Sequence, residues 1–339
     1  MLNSLLNKEF LTKEEVVYLL NLEAKDEIGL LLKKADQVRS VRSGNEVSIY
    51  GMLDFSNNCV QNCLYCGLRE DNITLPRYRM SPDEIIDAVK QITNMGVNSV
   101  VLQSGEDTEY DTDLMAYIIY SIKQKCNVSI TLSIGERGFD EYRTWKIAGA
   151  DGYLMKYETS NPKLYSIYHI KQKLNDRLNH LRFLKTIGYK IGTGNIVGLP
   201  MQTVEDIADD ILLYKELGLD VAASGPFIPS SHTPYRSKLQ ADLNIILKTI
   251  AVTRLVLSEV NIPSTTALAT LNEEGRIKGL QAGANVVMID FTPSIYREKY
   301  QVYANRKCLD ENPLNCRSCL QVQIESIGRK ISTFPFIES

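Results

Sequence analysis

Six of the seven cysteines fall in two tight groups, Cys59, Cys63, Cys66 and Cys308, Cys316, Cys319, while Cys126 stands apart. An odd number of mostly clustered thiols in a chain of 339 residues argues against a disulfide framework and for metal or redox chemistry. The first group is spaced Cys-x3-Cys-x2-Cys in the stretch Ser56–Arg69. Three thiolates on one compact loop can ligate three irons of a [4Fe–4S] cube. No fourth cysteine lies near, so one iron stays open to a small molecule. Structural zinc wants a closed tetrahedron, usually from two separated pairs, and neither His nor a fourth Cys completes one locally. The second group, Cys-x7-Cys-x2-Cys, also offers three ligands. There an iron–sulfur site, a zinc site and a vestigial site all stay open.

The elements that position these residues follow from periodicity. Strand-like runs are Ile49–Phe55, Ser99–Gln103, Val128–Ser133, Gly152–Tyr157, Tyr189–Val197, Val221–Pro226, Ile262–Ala267 and Asn285–Ile289. Most are short, apolar and not alternating, as strands buried on both faces of a parallel sheet are. Helical patterns sit between them. Ser81-Pro82-Asp83-Glu84 is a capping box with Pro at the first helical position, followed by Ile85, Val89 and Ile92 on one face. Thr203 caps a stripe of Ile207, Ile211 and Tyr214, and Thr12 caps a helix ahead of the first strand. Eight strands alternating with helices predict a complete (βα)8 barrel over residues 48–290. A helical extension, 1–47, precedes it, and a C-terminal segment, 291–339, carries the second thiol group. A doubly wound open sheet is the alternative, and the strand count favours the barrel.

In such a barrel chemistry sits at the C-terminal ends of strands. The first thiol loop follows strand one. Strand two runs into Gln103-Ser104-Gly105-Glu106-Asp107, and strand five carries Gly192-x-Gly194-x3-Gly198-Leu199-Pro200. Those glycines lie within a strand rather than opening a helix, so they do not make a dinucleotide fingerprint. His169, His180 and His232 read as helix or loop residues rather than ligands, and Cys126 as a small buried hydrophobe. Tyr300 and Tyr303 follow strand eight and either close the cavity or pack on a helix face.

Composition bounds the function classes. Lys+Arg total 38 and Asp+Glu 41, a net charge of −3, without the basic excess of a nucleic-acid or membrane-surface binder. No apolar run approaches the roughly 18–20 residues of a membrane helix. Lys8 and Glu9 interrupt the N-terminal stretch before an apolar signal core forms. The expected compartment is the cytoplasm.

The thiol spacing, with Tyr65 just before the third cysteine, resembles the radical S-adenosylmethionine (SAM) superfamily. Longer segments resemble its HydE-type [FeFe]-hydrogenase maturases: Cys63–Arg69, Tyr78–Pro82, Val101–Asp107, Gly225–Pro229, Ile262–Thr266 and Ala282–Val286. Biotin synthase and methylornithine synthase are relatives with the same barrel. The resemblance implies that Cys59, Cys63 and Cys66 hold a [4Fe–4S] cluster whose open iron chelates SAM. Reductive cleavage then yields a 5′-deoxyadenosyl radical. Tyr65, Ser104, Gly105, Glu106, Glu158, Arg177 and Leu199 would contact SAM. Gln103, Ser104, Thr131, Lys156, Thr265, Thr266 and Tyr300 would line the cavity for a small-molecule substrate. That substrate is implied to be an iron–carbonyl–cyanide synthon carrying cysteine, attacked at its sulfur. Implied partners are a ferredoxin or flavodoxin and the maturases HydG and HydF. Cys308, Cys316 and Cys319 resemble an accessory iron–sulfur site. Lys156 departs from the pattern, where Arg is expected to pair with a substrate carboxylate, and Lys loses the bidentate fork. It motivates a second reading, a HydE-like paralogue acting on another small amino-acid-derived or thioether substrate.

Overall fold

The computed structural model describes residues 2–307, 309 and 313–332. Eight parallel strands lie in the order β6-β5-β4-β3-β2-β1-β8-β7. They are β1 (Glu46–Ser56), β2 (Ser99–Ser104), β3 (Ser129–Ser133), β4 (Gly152–Leu154), β5 (Lys190–Val197), β6 (Val221–Pro226), β7 (Pro263–Ser264) and β8 (Val286–Asp290). The expected barrel is present and near-closed. Its seam, between β6 and β7, is joined through the Val221–Asn261 bridge, with Ala222 N–H donating to Asn261 O at 2.9 Å.

Two strands are shorter than their apolar runs suggest. Ile262–Ala267 yields only the two-residue β7, because Thr265 turns its hydroxyl to the amide of Leu268 and caps the helix Thr266–Leu271. Capping satisfies an amide that would otherwise be orphaned, and Thr does this better than it extends a short ladder. Gly152–Tyr157 leaves the ladder after Leu154. Glu158, just beyond that run, sits at φ 65°, a left-handed conformation no regular strand adopts.

The helices start where the capping chemistry says. Ser81 and Thr12 both form reciprocal capping boxes, with Glu84 and Glu15. Each such cap contributes about 1 kcal/mol. The helix Pro82–Asn94 buries Ile85, Ile86, Val89 and Ile92 against the sheet, the face its sequence spacing marks. Residues before β1 form the helices Leu2–Leu5, Lys13–Leu20 and Lys25–Ser43. They are tied to the barrel's outer helices through Lys13 to Asp209, at 2.7 Å, and Lys248 to Leu22 O, at 2.8 Å.

The C-terminal segment returns to the sheet. The helix Pro313–Ser326 packs against β8, and β9 (Lys330–Ile331) pairs in parallel with Glu46 and Val47 at the start of β1. Periodicity did not announce β9. Two residues are too short a pattern, and the tertiary edge of β1 recruits them.

Candidate active site at the barrel mouth

The loop after β1 is fastened by its own side chains rather than by regular structure. Asn57 donates its amide to Pro76 O and Lys299 O at 2.9 and 2.8 Å, and its carbonyl accepts from Tyr78 N–H. Arg77 donates to Leu68 O and Arg69 O, and Arg69 to Asn62 Oδ1 at 2.7 Å. An irregular loop needs such donors because its backbone carbonyls have no ladder partner. The result is a rigid shelf on which Cys59, Cys63 and Cys66 sit half-buried.

Burial raises the pKa of all three thiols, Cys66 to about 12, and for Cys63 and Cys66 the neighbouring thiols add to it. Three closely placed anions in an apolar setting are unfavourable without a counter-charge, and the iron ions of a cluster, which soft thiolates bind well, supply one. Among the described residues no three His, Cys, Asp or Glu side chains are gathered tightly enough to hold a single metal ion. A cube, by contrast, spreads three thiolates over three corners. The donor set therefore fits a [4Fe–4S] cluster better than zinc.

A cavity of about 370 Å³ opens beside these thiols at the C-terminal ends of the strands. Cys59, Cys66, Tyr65, Ser104, Gly105, Glu106, Glu158 and Arg177 line one side of it. Gln103, Lys156, Thr265, Thr266, Tyr300 and Tyr303 are among the other residues that line it. Two candidates lie elsewhere. Thr131 faces a second cavity of about 280 Å³ at the opposite end of the barrel, separated from the first by Leu154 and Met288, which border both. Leu199 is buried and gives its amide to Gln202 Oε1 rather than lining the mouth. Of the second thiol group, Cys308 lies outside the described residues. Cys316 and Cys319 stand one turn apart on the helix Pro313–Ser326, the first buried and the second exposed.

Charge is concentrated around Arg177. Its guanidinium is 2.8 Å from Glu136 and 3.6 Å from Glu106, and Nε meets the Tyr165 hydroxyl at 3.3 Å. Burial works against that charge, but Tyr165, Glu136 and Glu106 outweigh it, and the Arg177 pKa goes up. Glu136 shows the opposite balance: burial pushes its carboxyl up and Arg177 holds it down. Glu106 accepts from Gln61 Nε2 at 2.6 Å, Gln172 Nε2 at 3.0 Å and the Glu136 amide at 3.1 Å. Opposite, Lys156 Nζ is 2.9 Å from Glu158 Oε2. The left-handed backbone at Glu158 costs roughly 1–3 kcal/mol, and such strain collects at functional sites.

Gly135 shows how tightly Glu106 is enclosed. It has φ +76°, and a Cβ there would lie 1.8 Å from Glu106 Cγ. Gly135→Ala is expected to displace the Glu106 carboxylate and to cost about 1–2 kcal/mol through the left-handed backbone alone. Thermal unfolding checks the stability loss, and SAM titration calorimetry of the cluster-loaded protein checks the accompanying loss of affinity.

His169 has a larger role than its sequence context suggests. It ends the helix Pro162–Tyr168 and is buried with Nδ1 3.4 Å from Cys63 Sγ and Nε2 3.4 Å from the Tyr65 hydroxyl. Its ring stacks on Tyr165 at 4.2 Å. Burial, then Arg177, lowers its pKa to about 3, so it is a neutral imidazole at physiological pH. Glu136, Gln172, Asp54 and Arg306 were likewise silent in the sequence. Glu136, Gln172 and Arg306 lie far along the chain from the thiol loop, and Asp54, close to that loop, has its partner Arg306 252 positions away, so only the fold brings these groups together. His180 and His232 are helix and loop residues, as expected, and Cys126 is buried.

A radical SAM superfamily model matches residues 53–214, and the chain is 43% identical over 330 residues to the [FeFe] hydrogenase maturase subunit HydE of Thermotoga maritima, covering 97% of this chain and 94% of that one. The chain belongs to the radical SAM superfamily. It is a HydE-like radical SAM enzyme. It is also 29% identical to the 3-methylornithine synthase of Methanosarcina acetivorans over 82% of this chain and 79% of that protein. The crystal structure of a methylornithine synthase superposes with a TM-score of 0.87 at 25% identity, covering 98% of this chain and 97% of that one. The maturase HydG of Carboxydothermus hydrogenoformans shares the fold, with a TM-score of 0.83 at 21% identity over 99% of this chain and 80% of that one. The radical SAM match spans β1 to the helix after β5 and so contains the thiol loop, Glu106, Glu158 and Arg177. No helix among the described residues is long and apolar enough to cross a membrane.

Proposed function

We propose that the chain carries out the HydE-type step of [FeFe]-hydrogenase cofactor assembly in the cytoplasm. A [4Fe–4S] cluster and SAM, when bound, would supply the reductive chemistry that yields a 5′-deoxyadenosyl radical. Cys59, Cys63 and Cys66 would hold the cluster. Arg177 is a fork suited to the SAM carboxylate, and Glu106 and Glu158 are carboxylates suited to its cationic and hydroxyl groups. Tyr65 offers a ring beside the adenine. The substrate would lie deeper, against Gln103, Lys156, Thr265, Thr266 and Tyr300, as a small iron–carbonyl–cyanide species bearing cysteine and supplied by HydG. HydF would receive the product, and a ferredoxin or flavodoxin would deliver the electron. The protein's part is to bind, orient and exclude water.

The observation that carries this reading is the convergence of the three-thiol loop, the buried Arg177–Glu106–Glu136 cluster and Lys156 on one cavity, in a chain 43% identical to a HydE. Lys156 favours the alternative, a paralogue acting on another small amino-acid-derived or thioether substrate, since it is a point charge where a fork is expected. One assay separates them. The reconstituted enzyme is given SAM, a reductant and the cysteine-bearing synthon, and 5′-deoxyadenosine is followed. A burst well above the substrate-free rate, strengthened about tenfold in KM by Lys156→Arg through the regained bidentate contact, supports the HydE-type role. Release unaffected by the synthon but stimulated by a free amino acid or thioether points to the paralogue. The C-terminal cysteines are proposed as an accessory iron–sulfur site, read out as the iron lost on Cys316→Ser/Cys319→Ser.

A further inference from the structure

After β8 the chain does not run straight into its last helix. Residues 299–307 have no regular structure and cross the barrel mouth. They are held by four contacts to three different places. Asn57 donates to Lys299 O at 2.8 Å, and Gly67 N–H donates to Val302 O at 2.8 Å, both from the thiol loop. Ala304 N–H donates to Pro229 O at 3.3 Å, beyond β6, and Lys307 N–H to Thr270 Oγ1 at 3.2 Å, beyond β7. The approach to the thiol loop is so close that a Cβ on Gly67 would lie 1.9 Å from Gln301 O. Tyr300, Val302, Tyr303 and Arg306 of this strap face the cavity.

Four backbone contacts in an irregular segment, each worth about 1 kcal/mol net, do not by themselves fix its position. The firm attachment is Arg306. Its Nη2 lies 2.8 Å from Asp54 Oδ2 and 2.8 Å from Asp290 Oδ2, at the ends of β1 and β8. Its Nη1 donates to Tyr300 O at 3.2 Å, and its guanidinium lies 5.4 Å from the Tyr300 ring centroid. All three charged side chains are buried, Asp54 completely. The other oxygen of Asp54 accepts from Gln103 Nε2 at 2.9 Å. An ionised carboxylate only accepts, so Gln103 must turn its NH2 toward Asp54. The pair thus touches the strap and the cavity wall at once.

We propose that Asp54 and Arg306 are positioning residues, a buried latch that holds the 299–307 strap shut over the substrate cavity. The proposal rests on this cavity being the substrate site, whichever substrate it takes. Asp54 is enclosed by Arg306 from the strap, Asp290, Thr292 and Arg297 from β8 and the chain after it, Tyr78 from the thiol loop, Tyr300, and Gln103 from β2. Burial raises the Asp54 carboxyl to about 7, with Arg306 opposing and Asp290 adding to it. Opening the strap lets water reach Asp54 and returns its carboxyl toward the ordinary range, so the closed form holds the proton more tightly. As pH falls through the raised value Asp54 takes a proton and closure is favoured; above it the buried charge offsets part of what Arg306 contributes.

Hydrogen–deuterium exchange on the full-length, cluster-loaded protein without substrate tests this apart from the substrate assignment. In Arg306→Gln, exchange at Gly67, Ala304 and Lys307 is expected to rise at least about tenfold relative to β2–β5, the signature of local opening. Arg306→Lys retains a cation and should recover most of the protection; it also decides the matter if Arg306→Gln does not fold. After correction for intrinsic rates, wild-type protection at these amides should rise as pH falls below about 7 relative to the strands, and this pH step should be absent in Asp54→Asn. Unchanged exchange in the Arg306 variants would overturn the latch. So would a rise spread evenly over the barrel in Arg306→Lys, or a pH step that survives in Asp54→Asn.

Discussion

Cys63→Ala is expected to abolish 5′-deoxyadenosine formation and to remove the electron paramagnetic resonance signal of a reduced [4Fe–4S] cluster. The change strips a thiolate from a donor set of three, with no fourth cysteine in the loop to replace it. Even the loss of an outer partner of a metal ligand costs about 10–100-fold, so a ligand itself should cost more than 100-fold. Cys59→Ala and Cys66→Ala should behave alike. The experiment is cleanest in a Cys316→Ser/Cys319→Ser background, where any iron bound at the C-terminal cysteines is silenced. A cluster signal that changes shape with SAM in that background, and vanishes on adding Cys63→Ala, assigns SAM to an iron on this loop. Wild-type-like turnover in Cys63→Ala would remove the loop from the chemistry.

The second large effect is on Arg177. Replacing it by Leu leaves Glu136 and Glu106 in a buried pocket without their cation. Breaking a buried charge cluster from one side costs about 3–5 kcal/mol, much of it the desolvation of the charges left behind. Denaturant unfolding should show that loss. Glu136, already raised by burial and held down by Arg177, should then titrate at higher pH. Its folded pKa lies above the unfolded value, so it costs stability above the unfolded pKa. The Leu variant is therefore penalised most at alkaline pH and regains stability as pH falls through the raised pKa. Adding Glu136→Gln should return part of the loss at neutral pH, because the group that suffers most is then uncharged. SAM affinity should not return, since the fork is still missing. Recovery of both would mean that Arg177 serves only packing.

Much of this protein was legible before any fold was known. The Cys59, Cys63, Cys66 spacing was legible at once, because three thiols within eight consecutive residues are kept near one another by covalent geometry alone. Ser81, Thr12 and Thr203 mark helix starts because a cap bonds within three residues of itself. The apolar runs give β1, β2, β3, β5, β6 and β8 within a few residues, since buried parallel strands need no partner information to be recognised.

What local pattern does not contain is where distant polar groups meet. Thr265 falls within a strand-like run by sequence, but in the fold it caps the helix Thr266–Leu271. Thr131, midway along β3, lies below the Leu154–Met288 layer and lines the far cavity, and Leu199, two residues past β5, is buried. His169 meets Cys63 across 106 positions, and Arg306 meets Asp54 across 252. Their bonds hold only in a site already emptied of water, where an unpaired charge or imidazole is costly and a paired one is held in place. The sequence by itself marked the thiol loop and the barrel. Burial, which exists only once the barrel is closed, decided which charges face each other and so which side chains orient the cavity.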